Sequence, residues 1–382
     1  VAMSVAVLTG TGAGDHGPIL ADTALYVALL LALFSILFGT RAVDATEHHH
    51  GLMLAIAVES LVKLVAFAAV GIYAWGLLAS DASPLANTTT LPAPTSDTFL
   101  TTFATQTLLA ATAIVCLPRQ FQVGVVECED LRDVRRARYA FPLYLAAFTL
   151  LVLPIALAGL RSAPPATVHP DSFVLWLPAS RGDEALALLA YIGGFSAATG
   201  MVIVASVALA TMISNELVLP ALARVRALRL GERGDLSRLV LWIRRLAIVA
   251  LAAMAYSYYR LSAGTQSLAA VGLLAFAAVA QFAPAIVGGL YLRSLTRAGV
   301  IAGMAGGFAL WLYTLFLPSL SGAGLMPDRW LVDGPGGIGW LHPHALLGWR
   351  GIDPLAHGTA WSLGINVALC LLVSRLRPAS IQ

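Results

Sequence analysis

Recurrent runs of about 20 apolar residues limit the folds that this sequence can adopt, because an α-helix of that length crosses a bilayer. Strands of a transmembrane β-barrel would alternate apolar and polar residues over about ten positions, whereas these runs are longer and apolar throughout. The sequence therefore predicts an all-α membrane protein with about nine transmembrane helices. The predicted spans are 22–40, 51–79, 98–117, 139–160, 185–213, 243–262, 266–291, 299–317 and 358–374.

The composition argues against a soluble fold. Hydrophobic residues make up 59% of the 382 residues and charged residues only 11%, whereas about 25% of a soluble domain is charged. A soluble protein of this length could not bury so much apolar surface and keep a wettable exterior. We therefore expect membrane lipid to surround the chain, and we expect no nucleic-acid partner.

The basic residues predict the orientation of the chain. If the loop after the first span is cytoplasmic and the loops then alternate, 17 of the 23 basic residues lie on cytoplasmic segments and 5 on external ones, with Lys63 inside a span. Lys and Arg near span ends are retained in the cytoplasm. This pattern predicts that 118–138, 214–242 and the carboxyl terminus are cytoplasmic, and that 318–357 is an ordered external cap or loop. The two basic segments are suited to anionic lipid or to a cytoplasmic domain.

Two charged residues lie inside the second predicted span. Glu59 and Lys63 are four residues apart, so they share one face of a helix in the favourable order. Charges within a span are costly and usually face a cavity or a partner helix. We predict an intramembrane ion pair, which either stabilises the fold or takes part in proton or solute movement.

Hydroxyl groups are concentrated in two other spans. The outer half of the third span carries Thr101, Thr102, Thr105 and Gln106, which are candidates for solute binding. The fifth span carries Ser196, Thr199 and Ser206, whose oxygens are candidates for a small cation. The alternatives are that the threonines bond their own helix and that the small residues of the fifth span serve helix packing. We predict that the solute site lies near the third-span group and faces Ser196 and Thr199.

The sequence predicts no catalytic site and no cofactor in this chain. Three cysteines have no paired spacing, so they predict neither a metal site nor a disulfide. Gly334–Gly339 lies outside any strand-to-helix context and is not a nucleotide fingerprint.

Four stretches resemble one family. They are HGLMLAIAVESLVKL at 50–64, LPRQFQVGVVECED at 117–130, FSAATGMVIVASVALATMISNEL at 195–217 and GIDPLAHGTAWSL at 351–363. They are similar to the membrane part of sensor histidine kinases of the CbrA type, in which a module like the sodium/solute symporters precedes a cytoplasmic kinase. The resemblance covers nearly the whole chain, and Glu59–Lys63 is its most specific part.

The resemblance implies a particular architecture. Symporters of this family have thirteen spans and two inverted five-helix repeats of the LeuT type, and the spans here look like the last nine. The chain, 1–382, would then be one symporter-like sensory domain that continues upstream and, beyond its carboxyl terminus, into the kinase. Span 98–117 would be the counterpart of the broken helix in the second repeat. In the fifth span, Gly200 and Met201 stand where the family has its sodium-binding Ser/Thr pair, so protons or no coupling ion stay open.

These patterns together predict a transporter-like sensory module of a bacterial two-component sensor histidine kinase in the inner membrane. We expect it to bind, and to be able to move, a small solute such as an amino acid. Its partners would be that solute, lipid and a kinase domain in the same polypeptide, which would be the ATP-dependent enzyme. The alternatives are a plain secondary transporter and a structural anchor, and polar residues within the spans argue against an anchor.

Overall fold

The computed structural model describes residues 4–5, 19–39, 50–80, 97–128, 130–162, 168–224, 236–262, 267–321 and 326–377. Within these ranges all regular structure is helical and there is no strand. Among the described residues, eight helices are long and apolar enough to cross a membrane. The chain is therefore an all-α, multi-pass membrane protein, as its sequence predicts.

Nine apolar helices form the framework of the described part of the chain, and we number them α1 to α9 in chain order. They are Thr23–Gly39, His50–Ser80, Asp97–Cys116, Leu131–Ser162, Glu184–Ala223, Ser237–Ser262, Leu268–Tyr291, Arg297–Ser319 and Pro354–Leu376. Helix α1 has 17 residues and is shorter than the eight spanning helices. The first of the nine predicted spans is thus an apolar helix at the lower limit for crossing a bilayer.

Several helices extend beyond the predicted spans. Helix α4 begins at Leu131 rather than at 139, and α5 continues to Ala223 rather than ending at 213. The added turns of α4 are rich in Arg, which favours helix but lowers hydropathy, so an apolar window does not include them. A further short helix, Phe173–Ser180, lies between α4 and α5 and is too short to be predicted as a span.

Three of the spanning helices change their hydrogen-bond pattern partway. The interruptions are a π-helical turn at Ile213–Val218 in α5, a 3-10 turn at Ala280–Phe282 in α7 and a π-helical turn at Leu312–Phe316 in α8. A proline follows each turn: Pro220, Pro284 and Pro318. Proline has no N–H and its ring clashes with the carbonyl four residues earlier, which here always lies within the interruption. Each of the three turns therefore lies where a proline removes a hydrogen bond, whereas Pro142 and Pro154 lie inside α4 without such a turn.

The described contacts divide the chain into two compact units. The first unit comprises α1, α2, α4, α5 and α6 up to Ser257. One core joins α2, α4 and α5 to the short helix Phe173–Ser180, with Val70 and Leu177 fully buried in it. The ring of Phe173 packs directly on Gly159, where a Cβ would come within 2.2 Å of it. A second core joins Ala32, Ala210 and Ala247 from α1, α5 and α6.

The second unit comprises α3, α7, α8 and α9. Helices α8 and α9 pack closely through small residues spaced four apart on both helices: Gly299, Gly303 and Gly307 on α8, and Asn366, Cys370 and Ser374 on α9. Such stripes let two backbones approach each other in a membrane. Leu109 of α3, Ala277 of α7 and Leu315 of α8 complete the core.

Ordered structure fills much of the connection between α8 and α9. It contains the short helix Asp328–Val332 and 3-10 turns at Pro335–Gly337, Gly339–Leu341 and Leu346–Gly348. This agrees with an ordered cap rather than an extended loop, and we call the described segment 326–353 the cap. Its position outside the membrane on the external side stays a prediction.

Candidate functional site

The charged residues of α2 are in contact. Lys63 Nζ lies 3.8 Å from Glu59 Oε1, and the two side chains are 30% and 14% exposed. The helix spacing brings them together because residues four apart lie one above the other. The predicted geometry of the pair is therefore present, and its role stays a prediction.

Helix α5 provides the space that Glu59 occupies. A Cβ at Gly200 would lie only 1.5 Å from Glu59 Oε2, so the carboxylate rests directly against the backbone of α5. Two turns earlier on α5, Gly193 contacts Ala66 in the same way. A glycine at position 200 thus has a structural reason, because any larger residue would displace the carboxylate.

The hydroxyl group of Tyr144 of α4 lies on the same stretch of α2 as this pair. It donates a hydrogen bond to the backbone carbonyl of Ser60, at 3.2 Å. The charged pair of α2 therefore lies between α4 and α5, with a tyrosine next to it. Glu59, Lys63 and Tyr144 therefore form a charged and polar group within the first unit.

The predicted solute residues all lie on α3, in the second unit. Thr102 and Thr105 are half-buried, whereas Thr101 and Gln106 are exposed. The hydroxyl of Thr105 donates to the carbonyl of Thr101 at 2.8 Å, as in the back-bonding alternative. This bond uses the hydroxyl proton of Thr105, and its oxygen can still accept a hydrogen bond.

Helix α3 differs from the broken helix that the family resemblance implies. It is regular from Asp97 to Cys116. No proline lies within this range. The hydroxyls of Thr105 and Thr107 donate to backbone carbonyls of the same helix, and the backbone hydrogen bonds of the helix continue past them. Among the described spans, the interruptions fall on α5, α7 and α8.

The predicted cation residues lie on α5, in the first unit. Ser196, Thr199 and Ser206 are all half-buried. Thr199 donates to the carbonyl of Phe195 at 2.8 Å. Within the described part of the chain, no group of His, Cys, Asp and Glu side chains has the arrangement of a metal site.

A polar cluster in the second unit was not predicted. Gln281, at the 3-10 turn of α7, is fully buried, and its Nε2 lies 3.0 Å from Ser362 Oγ of α9. Asn366 Nδ2 donates to the backbone carbonyl of Gln281 at 2.8 Å and to its Oε1 at 3.1 Å. Asn366 therefore supplies a partner for a carbonyl at the point where the helix is interrupted, as buried backbone in a membrane requires.

This amide cluster, Gln281–Ser362–Asn366, has a single sequence signal. Each residue is polar within an otherwise apolar run, and such residues usually face the protein interior. The contact itself could not be predicted, because Gln281 and Asn366 are 85 residues apart. Thr359 lies one turn before Ser362, and its buried hydroxyl has no hydrogen-bond partner among the described residues.

A scan against protein-family models finds no match for this chain, and searches of the curated proteins and of the solved structures find none either. The class is therefore defined by the fold and by the polar groups within it. The protein is a polytopic helical membrane protein with a charged pair in one unit and an amide cluster at a helix interruption in the other.

Proposed function

We propose that this chain is the transporter-like sensory module of a bacterial sensor histidine kinase in the inner membrane, with a LeuT-type inverted-repeat architecture. It binds, and is able to move, a small solute such as an amino acid, and it biases a kinase domain of the same polypeptide. The kinase and symporter parts of this proposal come from the sequence resemblance. The binding part is supported by the polar groups within the spans.

The observation that carries the proposal is the charged pair of α2. Glu59 is 14% exposed and rests on the backbone of α5, within helices that are otherwise apolar. A structural anchor has no need of charges at this depth, whereas transporters and sensors use them to handle solutes and ions. The half-buried hydroxyls of α3 and α5 extend the same argument to uncharged groups.

The solute site is proposed at Thr101, Thr102, Thr105 and Gln106 of α3. Thr105 keeps a free acceptor after its bond to Thr101, and Thr102 is half-buried on the same stretch of helix. An amino acid presents an ammonium group, whose N–H groups can donate hydrogen bonds to such oxygens. The cation site is proposed at Ser196, Thr199 and Ser206 of α5, with sodium, protons or no ion as its occupant.

Binding to the full-length protein tests the solute site. The twenty standard amino acids are first screened by thermal shift, and the strongest is then titrated calorimetrically. Thr102→Val and Thr105→Val keep the shape and remove the hydroxyls, so each should weaken binding about tenfold or more, corresponding to roughly 1–3 kcal/mol for a lost buried contact.

Thr107→Val is the matched control. Its hydroxyl also bonds its own helix, at 2.8 Å from the carbonyl of Phe103, but the residue is exposed. Affinity that is unchanged in the Thr102 and Thr105 variants, or that falls equally in the Thr107 variant, would contradict the proposed site.

A plain secondary transporter is the alternative, and it fits the same polar groups. The two functions differ in what the gene encodes after Gln382 and in what the isolated module does. A phosphoacceptor histidine region and an ATP-binding domain would favour the sensor. Their absence, together with solute uptake by the chain in proteoliposomes, would favour the transporter.

A further inference from the structure

Two histidines hold one short stretch of the cap by accepting backbone hydrogen bonds. His357, in the first turns of α9, is fully buried, and its Nε2 accepts from the N–H of Leu346 at 3.1 Å. Within the cap, His342 Nδ1 accepts from the N–H of His344 at 3.1 Å. The residues between these two anchors include buried Ala345 and Leu346.

Both hydrogen bonds require an uncharged imidazole. A neutral ring has one nitrogen that accepts, whereas both nitrogens of a protonated ring carry hydrogen and can only donate. After protonation, the ring nitrogen that now accepts would itself carry a hydrogen. That hydrogen would point at the backbone N–H that now donates to the ring. The bond would then be replaced by a repulsive contact, which is buried at His357 and half-buried at His342.

The groups around these two anchors act on protonation in both directions. The titratable groups close to His344 are His342 and Asp353 of the cap and His357 of α9, and the hydroxyl of Tyr313 of α8 donates to the carbonyl of Leu341. Burial, and next the neighbouring histidines, lower the pKa of His344 below its ordinary 6.5. Asp353 acts in the other direction, but its carboxylate already accepts from the N–H groups of Leu355 and Ala356.

The closed arrangement also leaves donors unsatisfied. His357 Nδ1 and Trp361 Nε1 are buried and have no hydrogen-bond partner among the described residues. The ring of Trp349 covers both, at centroid distances of 5.9 and 6.2 Å. Leu347 adopts a positive φ of 55°, which is unfavourable for a branched side chain. Opening would return both donors to water and relax Leu347, so the closed state is poised to open.

We propose that residues 342–349 form a pH-sensitive latch over the amino-terminal turns of α9, closed while its histidines are neutral and released when they are protonated. The latch covers the end of α9 from which the polar residues Thr359, Ser362 and Asn366 follow. In the predicted topology it would respond to external acidification. It does not depend on the solute or on the kinase.

The sign of the effect follows from proton linkage. The closed state binds fewer protons than the open state, because burial lowers the pKa of His344 and because His357 Nε2 can accept from Leu346 only while it carries no hydrogen. The closed state is therefore fully stable above the ordinary histidine value of 6.5 and loses stability as the pH falls below it. Between pH 7.5 and pH 5.5, one such histidine shifts the ratio of open to closed forms by about tenfold toward open.

The latch can be followed with a cysteine at Ala345, which is only 7% exposed when closed. The chain is placed in lipid nanodiscs with Cys128→Ser, since Cys116 and Cys370 are buried. Ala345→Cys is reacted with a pyridyl disulfide at pH 7.5 and 5.5, and its rate is divided by that of Ile338→Cys, a cap position 40% exposed. The division removes the pH dependence of the thiol and the reagent. We expect the ratio to rise about tenfold or more at pH 5.5.

Two isosteric variants test the mechanism. His357→Gln keeps an acceptor near the position of Nε2 and His342→Asn keeps one near that of Nδ1, and neither titrates. His357→Gln should reduce the rise by up to about tenfold, His342→Asn should reduce it as well, and the double variant should leave only the part due to His344. A ratio that is unchanged in the parent, or a rise in the double variant as large as in the parent, overturns the proposal. If His357→Gln does not elute as a single folded species, His342→Asn and the parent still decide it.

Discussion

At the scale of single residues, local spacing was predictable and its surroundings were not. The contact of Glu59 with Lys63 follows from four-residue spacing on one helix. The contact of the Glu59 carboxylate with Gly200 depends on how α2 packs on α5, and no local sequence pattern encodes that packing. The same holds for His357, whose bond to Leu346 is formed only once the cap folds back on α9.

The first prediction concerns the coupling between Glu59 and Lys63. Glu59→Gln, Lys63→Met and the double variant are compared by reversible unfolding in mixed micelles. Each single change leaves one charge without its partner inside a span, so the double variant should be less damaging than the sum of the two. We expect a coupling of about 1 kcal/mol.

A surface pair of the same chain provides the control. Arg136 and Asp133 lie 3.5 Å apart on α4, and their side chains are 82% and 64% exposed. Water screens such a pair, so its coupling should be no more than about 0.3–0.5 kcal/mol. Equal coupling in the two pairs would mean that Glu59 and Lys63 are as well solvated as a surface pair, and would contradict their intramembrane role.

At the scale of elements, the apolar runs located the helices and the prolines explain their interruptions. Helix ends were misplaced where Arg-rich turns extend a span, as at Leu131. Pro284 explains the turn at Ala280–Phe282, because the lost hydrogen bond lies one turn earlier, but a proline alone does not predict such a turn, since Pro142 lies inside α4 without one. The glycines Gly303, Gly306 and Gly307 indicate helix packing, but their partner helix α9 cannot be identified from one sequence.

The second prediction concerns that packing. At Gly303 a Cβ would lie 2.6 Å from the backbone carbonyl oxygen of Asn366 and 2.9 Å from Cys370 Cβ. Gly303→Val would therefore force α8 and α9 apart, and we expect it to destabilise the protein by about 1–3 kcal/mol or more. Thermal unfolding followed by size-exclusion chromatography in detergent measures the change.

Gly364→Val on α9 is the matched control. A Cβ there meets nothing within 4 Å, and the residue is exposed. It introduces the same β-branched side chain into a helix of the same unit, so any difference between the two variants reports on packing. If both variants melt at the same temperature as the parent, α8 and α9 do not pack through their small residues.

At the scale of the whole molecule, the sequence predicted the class and the approximate number of spans. Both depend on the number of consecutive apolar residues in each run, which can be read from that run alone. The division into two units and the amide cluster depend on contacts between distant residues, such as Gln281 with Asn366, and were not predictable. The LeuT-type architecture and the orientation in the membrane stay predictions.

The last prediction concerns that orientation. Arg135, near the start of α4, and Ile338, after α8, are both exposed. Five helices, α4 to α8, separate them, and each is long enough to span. Because five is odd, we expect the two residues to lie on opposite sides of the membrane whether or not α1 also crosses it. In a Cys128→Ser background, an impermeant thiol reagent on intact cells should label Ile338→Cys and reach Arg135→Cys only after permeabilisation. The reverse pattern would invert the chain, and labelling of both from outside would mean that one of the five helices does not cross.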